Sequence, residues 1–96
     1  MSERRRYIRF KDEDQGDILL YVEDETGEKY YFRALIVDES FKGLACVYVG
    51  KSQYPPGSLI YWQETDNFTT ICQVIRSQEI MERVYFLALE RLDLNP

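Results

Sequence analysis

Apolar residues in this chain fall in short runs with the two-residue period of strands, and each run ends in turn-forming residues. The first, Asp17–Glu23, stops at Asp24-Glu25-Thr26-Gly27, whose late glycine suits a tight hairpin. The second, Lys29–Asp38, is rich in strand-favouring Tyr30, Tyr31, Phe32, Ile36 and Val37. Both of its faces are apolar, with Phe32, Ala34 and Ile36 alternating with Tyr31, Leu35 and Val37. That pattern predicts a central strand covered on both sides. Glu39–Gly43 reads as a turn and Leu44–Val49 as the third run. A loop over Gly50–Gly57, punctuated by Pro55-Pro56-Gly57, leads to a fourth run at Ser58–Glu64. Asp66-Asn67 is the next turn, and Phe68–Arg76 the fifth run.

The last stretch admits two periods. Ile80, Met81, Val84, Leu87, Ala88 and Leu92 fit helical spacing, whereas Val84-Tyr85-Phe86 favours strand. A sixth strand over Glu82–Glu90 completes a simpler picture, an all-β, six-stranded antiparallel barrel. Closure would remove edges that invite aggregation in so aromatic a chain. Residues 1–16 then form an arm with an acidic linker, and residues 17–96 the barrel domain.

Composition narrows the function. A chain of 96 residues has room for one core, and 45% hydrophobic against 30% charged is the balance of a folded domain. Eight Tyr, five Phe and one Trp provide the apolar burial so short a chain needs. The longest apolar run, Ile18-Leu19-Leu20-Tyr21-Val22, falls far short of the roughly 20 residues that span a bilayer. Met1 leads straight into Ser2-Glu3-Arg4-Arg5-Arg6 rather than a basic-then-apolar signal segment, so a cytoplasmic protein without membrane insertion is expected. There is no histidine, the commonest general base and metal ligand. Cys46 and Cys72 lack C-x-x-C spacing and have strand-like flanks, which predicts buried, inert thiols. No spacing pairs two carboxylates on an apolar background. Neither an enzyme nor a resident metal or cofactor is expected.

Charge is informative once divided. Residues 1–9 carry Arg4, Arg5, Arg6 and Arg9 against Glu3, a net +3, so the other 87 residues carry −8 of the chain's overall −5. An acidic body argues against a nucleic-acid-binding barrel, whose groove should be basic. A short arginine arm on that acidic body needs a different explanation.

Two constellations supply one. Arg5-Arg6-Tyr7-Ile8-Arg9 has R-x-x-x-R spacing, which occurs once in the chain, and Asp38-Glu39-Ser40-Phe41-Lys42-Gly43 is a D-x-S-x-x-G turn between two expected strands. Together, in this order, they resemble the PilZ family of cyclic di-GMP receptors. That family carries R-x-x-x-R in a flexible N-terminal segment, then [D/N]-x-S-x-x-G between the second and third strands of a six-stranded barrel. The Pro56-Gly57 step before Ser58-Leu59-Ile60-Tyr61-Trp62 is also similar. The resemblance implies that Arg5, Arg9, Asp38, Ser40 and Gly43 bind cyclic di-GMP. It also implies that ordering of the arm passes the signal to a protein partner, with outputs in motility, exopolysaccharide, pili or virulence. Arg4, just before R-x-x-x-R, is where the family places an arginine that favours an intercalated ligand dimer, implying two cyclic di-GMP per domain.

The side-chain chemistry suits that ligand. A guanidinium forks onto phosphate, pairs with guanine O6 and N7, or stacks on the base. The Asp38 carboxylate can accept from guanine amino and imino groups, and Ser40 can donate or accept. Gly43 permits a left-handed backbone or a close approach by ligand. The plainer readings are a solvated basic tail and an ordinary turn, with Trp62 and the tyrosines in the core or on the sheet. A PilZ-like adaptor that docks on protein without nucleotide is the rival function.

Overall fold

Six runs along the chain become six strands, and all but the last of the turns between them fall where the local chemistry places them. The structure, a computed structural model, describes residues 17–92. The strands are β1 (Asp17–Glu23), β2 (Lys29–Glu39), β3 (Gly43–Val49), β4 (Leu59–Thr65), β5 (Phe68–Met81) and β6 (Val84–Arg91). All pairings are antiparallel, and the order β1-β2-β3-β6-β5-β4 closes on itself through β1 and β4 as a barrel.

The inward period of each strand builds the core. Ile18 and Leu20 of β1, Ala34 of β2, Leu44, Cys46 and Tyr48 of β3 meet Ile60 and Trp62 of β4, Cys72 and Val74 of β5, and Tyr85, Leu87 and Leu89 of β6. Register aligns them in rows, such as Leu20 opposite Trp62 and Trp62 opposite Thr70. Tyr54, in the loop before β4, packs against Phe32 and Tyr48 with ring centroids 5.2 and 5.7 Å away. The Tyr48 hydroxyl donates to the Ser52 carbonyl at 2.7 Å, which ties that loop to the core. Both cysteines are buried, and burial, with Cys72 nearby as a lesser cause, pushes the Cys46 thiol up to about 12. A thiol held protonated in this way is unreactive at neutral pH.

The β1–β2 hairpin turns on one carboxylate. Asp24 Oδ1 accepts from the Thr26 N–H at 2.9 Å, the Thr26 hydroxyl at 2.7 Å and the Glu28 N–H at 3.0 Å, while Oδ2 takes the Tyr30 hydroxyl at 3.0 Å. Gly27 supplies the left-handed residue, with φ of 90°. These bonds, the Thr26 hydroxyl foremost, hold the Asp24 carboxyl down to about 2. Because the folded state favours the charged form, this contribution is full above the ordinary aspartate range and fades as pH falls from about 4 to about 2. Thermal melts of Asp24→Asn and the parent should therefore differ at pH 6 and converge as pH falls through that window. A gap independent of pH would show that the carboxylate's charge is not what holds the turn.

Three expectations need correction. β5 continues to Met81 instead of ending at Arg76, and β6 begins at Val84 rather than Glu82. The apparent helical spacing of Ile80, Met81 and Val84 is broken by a hairpin at Glu82-Arg83, where Arg83 takes φ of 67°. The third concerns β2, which is covered on its inner face only. Tyr31, Leu35 and Val37 are 52%, 58% and 57% exposed, since no second layer lies outside the barrel among the described residues. Tyr21 of β1 is the exception on the outer surface. It is buried between Tyr31 and Tyr61 at centroid distances of 5.0 and 4.9 Å, with Lys29 Nζ 5.0 Å from its ring.

Candidate functional site

Alternation alone would send Asp38 into the barrel, because Phe32, Ala34 and Ile36 point inward at the same parity. The chain avoids burying that carboxylate with a bulge at Val37. Ile36 pairs with Cys46 and Asp38 with Ala45, so Val37 is the extra residue and Asp38 is turned to the outer face. There it is exposed, its Oδ1 accepting from the Glu39 N–H at 3.0 Å. Asp38 Oδ2 accepts no hydrogen bond among the described residues.

The turn that follows is closed by reciprocal backbone bonds. The Ser40 N–H donates to the Gly43 carbonyl at 2.8 Å, and the Gly43 N–H to the Ser40 carbonyl at 3.3 Å. Ser40 is exposed, and its hydroxyl makes no hydrogen bond among the described residues. Phe41 at the tip is 78% exposed. Gly43 is buried, and a Cβ there would run into the backbone carbonyl of Leu89 in β6. Its φ is not left-handed, so the glycine serves the close approach of β6 to β3 and not an unusual backbone conformation. Of the residues implied to bind ligand, Asp38, Ser40 and Gly43 thus share one turn, whereas Arg4, Arg5 and Arg9 lie outside the described residues.

Register assembles neighbours that the sequence spacing does not reveal. Asp38 is opposite Ala45, Ala45 opposite Ala88, and Ala88 opposite Arg76, which makes an outer row across β2, β3, β6 and β5. Two alanines form a low floor between Asp38 and Arg76, whose backbones are three strand spacings apart along the sheet, about 14 Å. The next row is Leu35, Val47, Phe86 and Gln78, with the Arg76 guanidinium 5.1 Å from the Phe86 ring centre.

Arg91, at the end of β6, buttresses the turn from the other side. Its N–H donates to the Lys42 carbonyl at 2.7 Å. Its guanidinium reaches Glu39 at 3.2 Å and Glu64 at 3.4 Å, and lies 5.0 Å from the Trp62 ring centre. Glu64 also accepts from the buried Thr70 hydroxyl. A cation held by two carboxylates and an aromatic face fixes Glu39, and through Lys42 the turn itself. Arg91 went unnoticed in the sequence because its partners are 27 and 52 positions away.

Electrostatically, the turn is acidic. Asp38, Glu39, Glu64 and Glu90 surround it, against Lys42 and an Arg91 already engaged by two of those acids. Among the described residues no group of three or more Cys, Asp or Glu is placed to hold a metal ion, and no helix is long and apolar enough to cross a membrane. Compared with known proteins, the chain matches no family model, no curated protein and no solved structure.

Proposed function

We propose that this chain is a cytoplasmic cyclic di-GMP receptor of the PilZ type, without catalytic activity, which signals to a protein partner through ordering of its arginine arm. The observation that carries the reading is the D-x-S-x-x-G turn closing β2 onto β3 of a closed six-stranded barrel, with Asp38 turned outward by the bulge at Val37. On this reading Asp38 and Ser40 take a guanine edge, and the floor of Ala45 and Ala88 leaves space for a flat base. Arg4, Arg5 and Arg9 neutralise the phosphates that an acidic turn would otherwise repel. Gly43 acts by keeping the turn against β6.

Calorimetric titration of the purified chain with cyclic di-GMP, with GTP and cyclic di-AMP as controls, tests this directly. Saturable, selective heat is expected, with two ligands per chain if Arg4 favours an intercalated dimer. Asp38→Ala and Ser40→Ala should each weaken binding by on the order of 1–3 kcal/mol, as loss of a good base contact does. Absence of heat up to roughly 100 μM, an affinity weaker than about −5.5 kcal/mol, would rule the receptor out.

The second reading, a nucleotide-independent adaptor, is favoured by the apolar outer surface beside the turn. Leu35 and Val37 on the strand leading into the turn, and Phe41 at its tip, are 58%, 57% and 78% exposed. Contiguous apolar surface of this kind marks a docking face. Partner binding unchanged by cyclic di-GMP would select it.

A further inference from the structure

The end of the barrel that carries the turn leaves both charge and apolar surface uncovered. Asp38 leads into the turn and Glu90 pairs with Gly43 at its exit, both exposed, and neither makes an ion pair among the described residues. Val37 and Phe41 lie beside these acids, 57% and 78% exposed. Acids without cations next to apolar groups without cover fit an occupant that is itself basic and apolar. β1 enters the barrel at this same end. Asp17 pairs with Leu35, three residues before Asp38 on β2, so the turn lies within about 15 Å of the point where residues 1–16 join.

We propose that, with no nucleotide present, residues 4–10 of the same chain dock on this surface, the arginines over Asp38 and Glu90 and the apolar side chains against Val37 and Phe41. The segment, which lies outside the described residues, reads Arg-Arg-Arg-Tyr-Ile-Arg-Phe, four cations interleaved with three apolar residues. Its charge is the complement of the body's, +3 over residues 1–9 against −8 for the rest. Its tether also fits. Arg9 stands eight residues before Asp17, a distance of roughly 16 Å as a flexible coil and up to about 26 Å extended. A linker whose length matches the span holds its segment at an effective concentration in the millimolar range, which a separate basic partner would have to exceed. A second copy fits less well, because it would bring one acidic turn against another.

Exposed ion pairs are individually weak and screened by salt, so the contact fluctuates and is strongest at low ionic strength. Docking keeps the arginines at the turn between binding events and shields Val37 and Phe41 from other proteins. The inference rests on charge and tether length, not on the receptor reading, and holds equally for a chain that binds no nucleotide. The test uses the full chain without nucleotide, with a nitroxide on Ser2→Cys; Cys46 and Cys72 are buried and should stay unlabelled. In about 20 mM salt, where charges act over about 20 Å, the amide signals of Ser40, Phe41, Lys42 and Glu90 should be largely lost. Those of Thr26 and Gly27, in the hairpin at the other end of β1, should persist. The lost signals should return in about 0.5 M salt, in the double variant Arg5→Gln with Arg9→Gln, and in part in Asp38→Asn, which keeps the Oδ1 that accepts from the Glu39 N–H. Equal broadening at both ends, or broadening at the turn that ignores salt and the arginines, would overturn the proposal. So would broadening that passes from a labelled chain to an unlabelled, isotope-enriched one, which would assign the surface to a second copy.

Discussion

With Arg5 and Arg9 both replaced by alanine, cyclic di-GMP affinity should fall by some thirtyfold or more, while the melting temperature stays at the parent value. The size follows from two guanidinium contacts at on the order of 1–3 kcal/mol each. The reason lies in the charges around the turn. On the receptor reading, the ligand would bring two phosphates to a surface where Asp38, Glu39, Glu64 and Glu90 gather. Arg91 gives its guanidinium to Glu39 and Glu64, so it has little to offer a phosphate. Lys42 alone cannot offset both charges. The cations that make binding favourable must then come from the arginine segment, and raising salt should weaken the parent more than the double variant. A double variant that binds as tightly as the parent would remove the arm from the mechanism and shift attention to Lys42 and Arg76.

Gly43→Ala should lower the melting temperature by on the order of 10–20 °C, with or without ligand. Its Cβ meets the Leu89 carbonyl, a backbone atom that cannot move aside as a side chain would. To admit the methyl, β3 and β6 must separate where Gly43 pairs with Glu90 and Leu44 with Leu89. That disturbs the row holding the buried Leu44 and Leu89 and costs about 3 kcal/mol, the upper end of overpacking. Ser40→Ala is the contrasting change. Ser40 serves the turn through its backbone N–H and carbonyl, which alanine retains, so stability should be nearly unaffected. A Gly43→Ala protein that melts like the parent but loses ligand would reassign the glycine to ligand approach.

The two substitutions separate roles that one motif merges. In D-x-S-x-x-G, two side chains are exposed and available to a ligand, while the glycine belongs to the packing of the barrel. Loss of binding by Gly43→Ala would accordingly be read together with its melt, whereas loss by Asp38→Ala or Ser40→Ala would bear on recognition itself.

The strands and their turns were legible because their causes are local. Period-two alternation and turn residues mark Asp17–Glu23 with the bounds the structure shows, and place the other strands within a few residues except at the end of β5. Six such strands with turn chemistry between them imply closure, since an open sheet this aromatic would leave sticky edges. What the sequence could not determine depends on which strands become neighbours. Arg76-Ser77-Gln78-Glu79 has no apolar alternation and is a strand only because β6 pairs with it. The apolar outer face of β2 suggested a covering layer, but no described element packs outside it. The outward turn of Asp38, the floor of Ala45 and Ala88 beside it, the clasp of Arg91 on Glu39 and Glu64, and the reason for Gly43 all follow from register between distant segments. Local propensity decides what a segment becomes. Only the cooperative closure of the barrel decides what it faces, because pairing energies between distant strands compete across the whole chain and settle together.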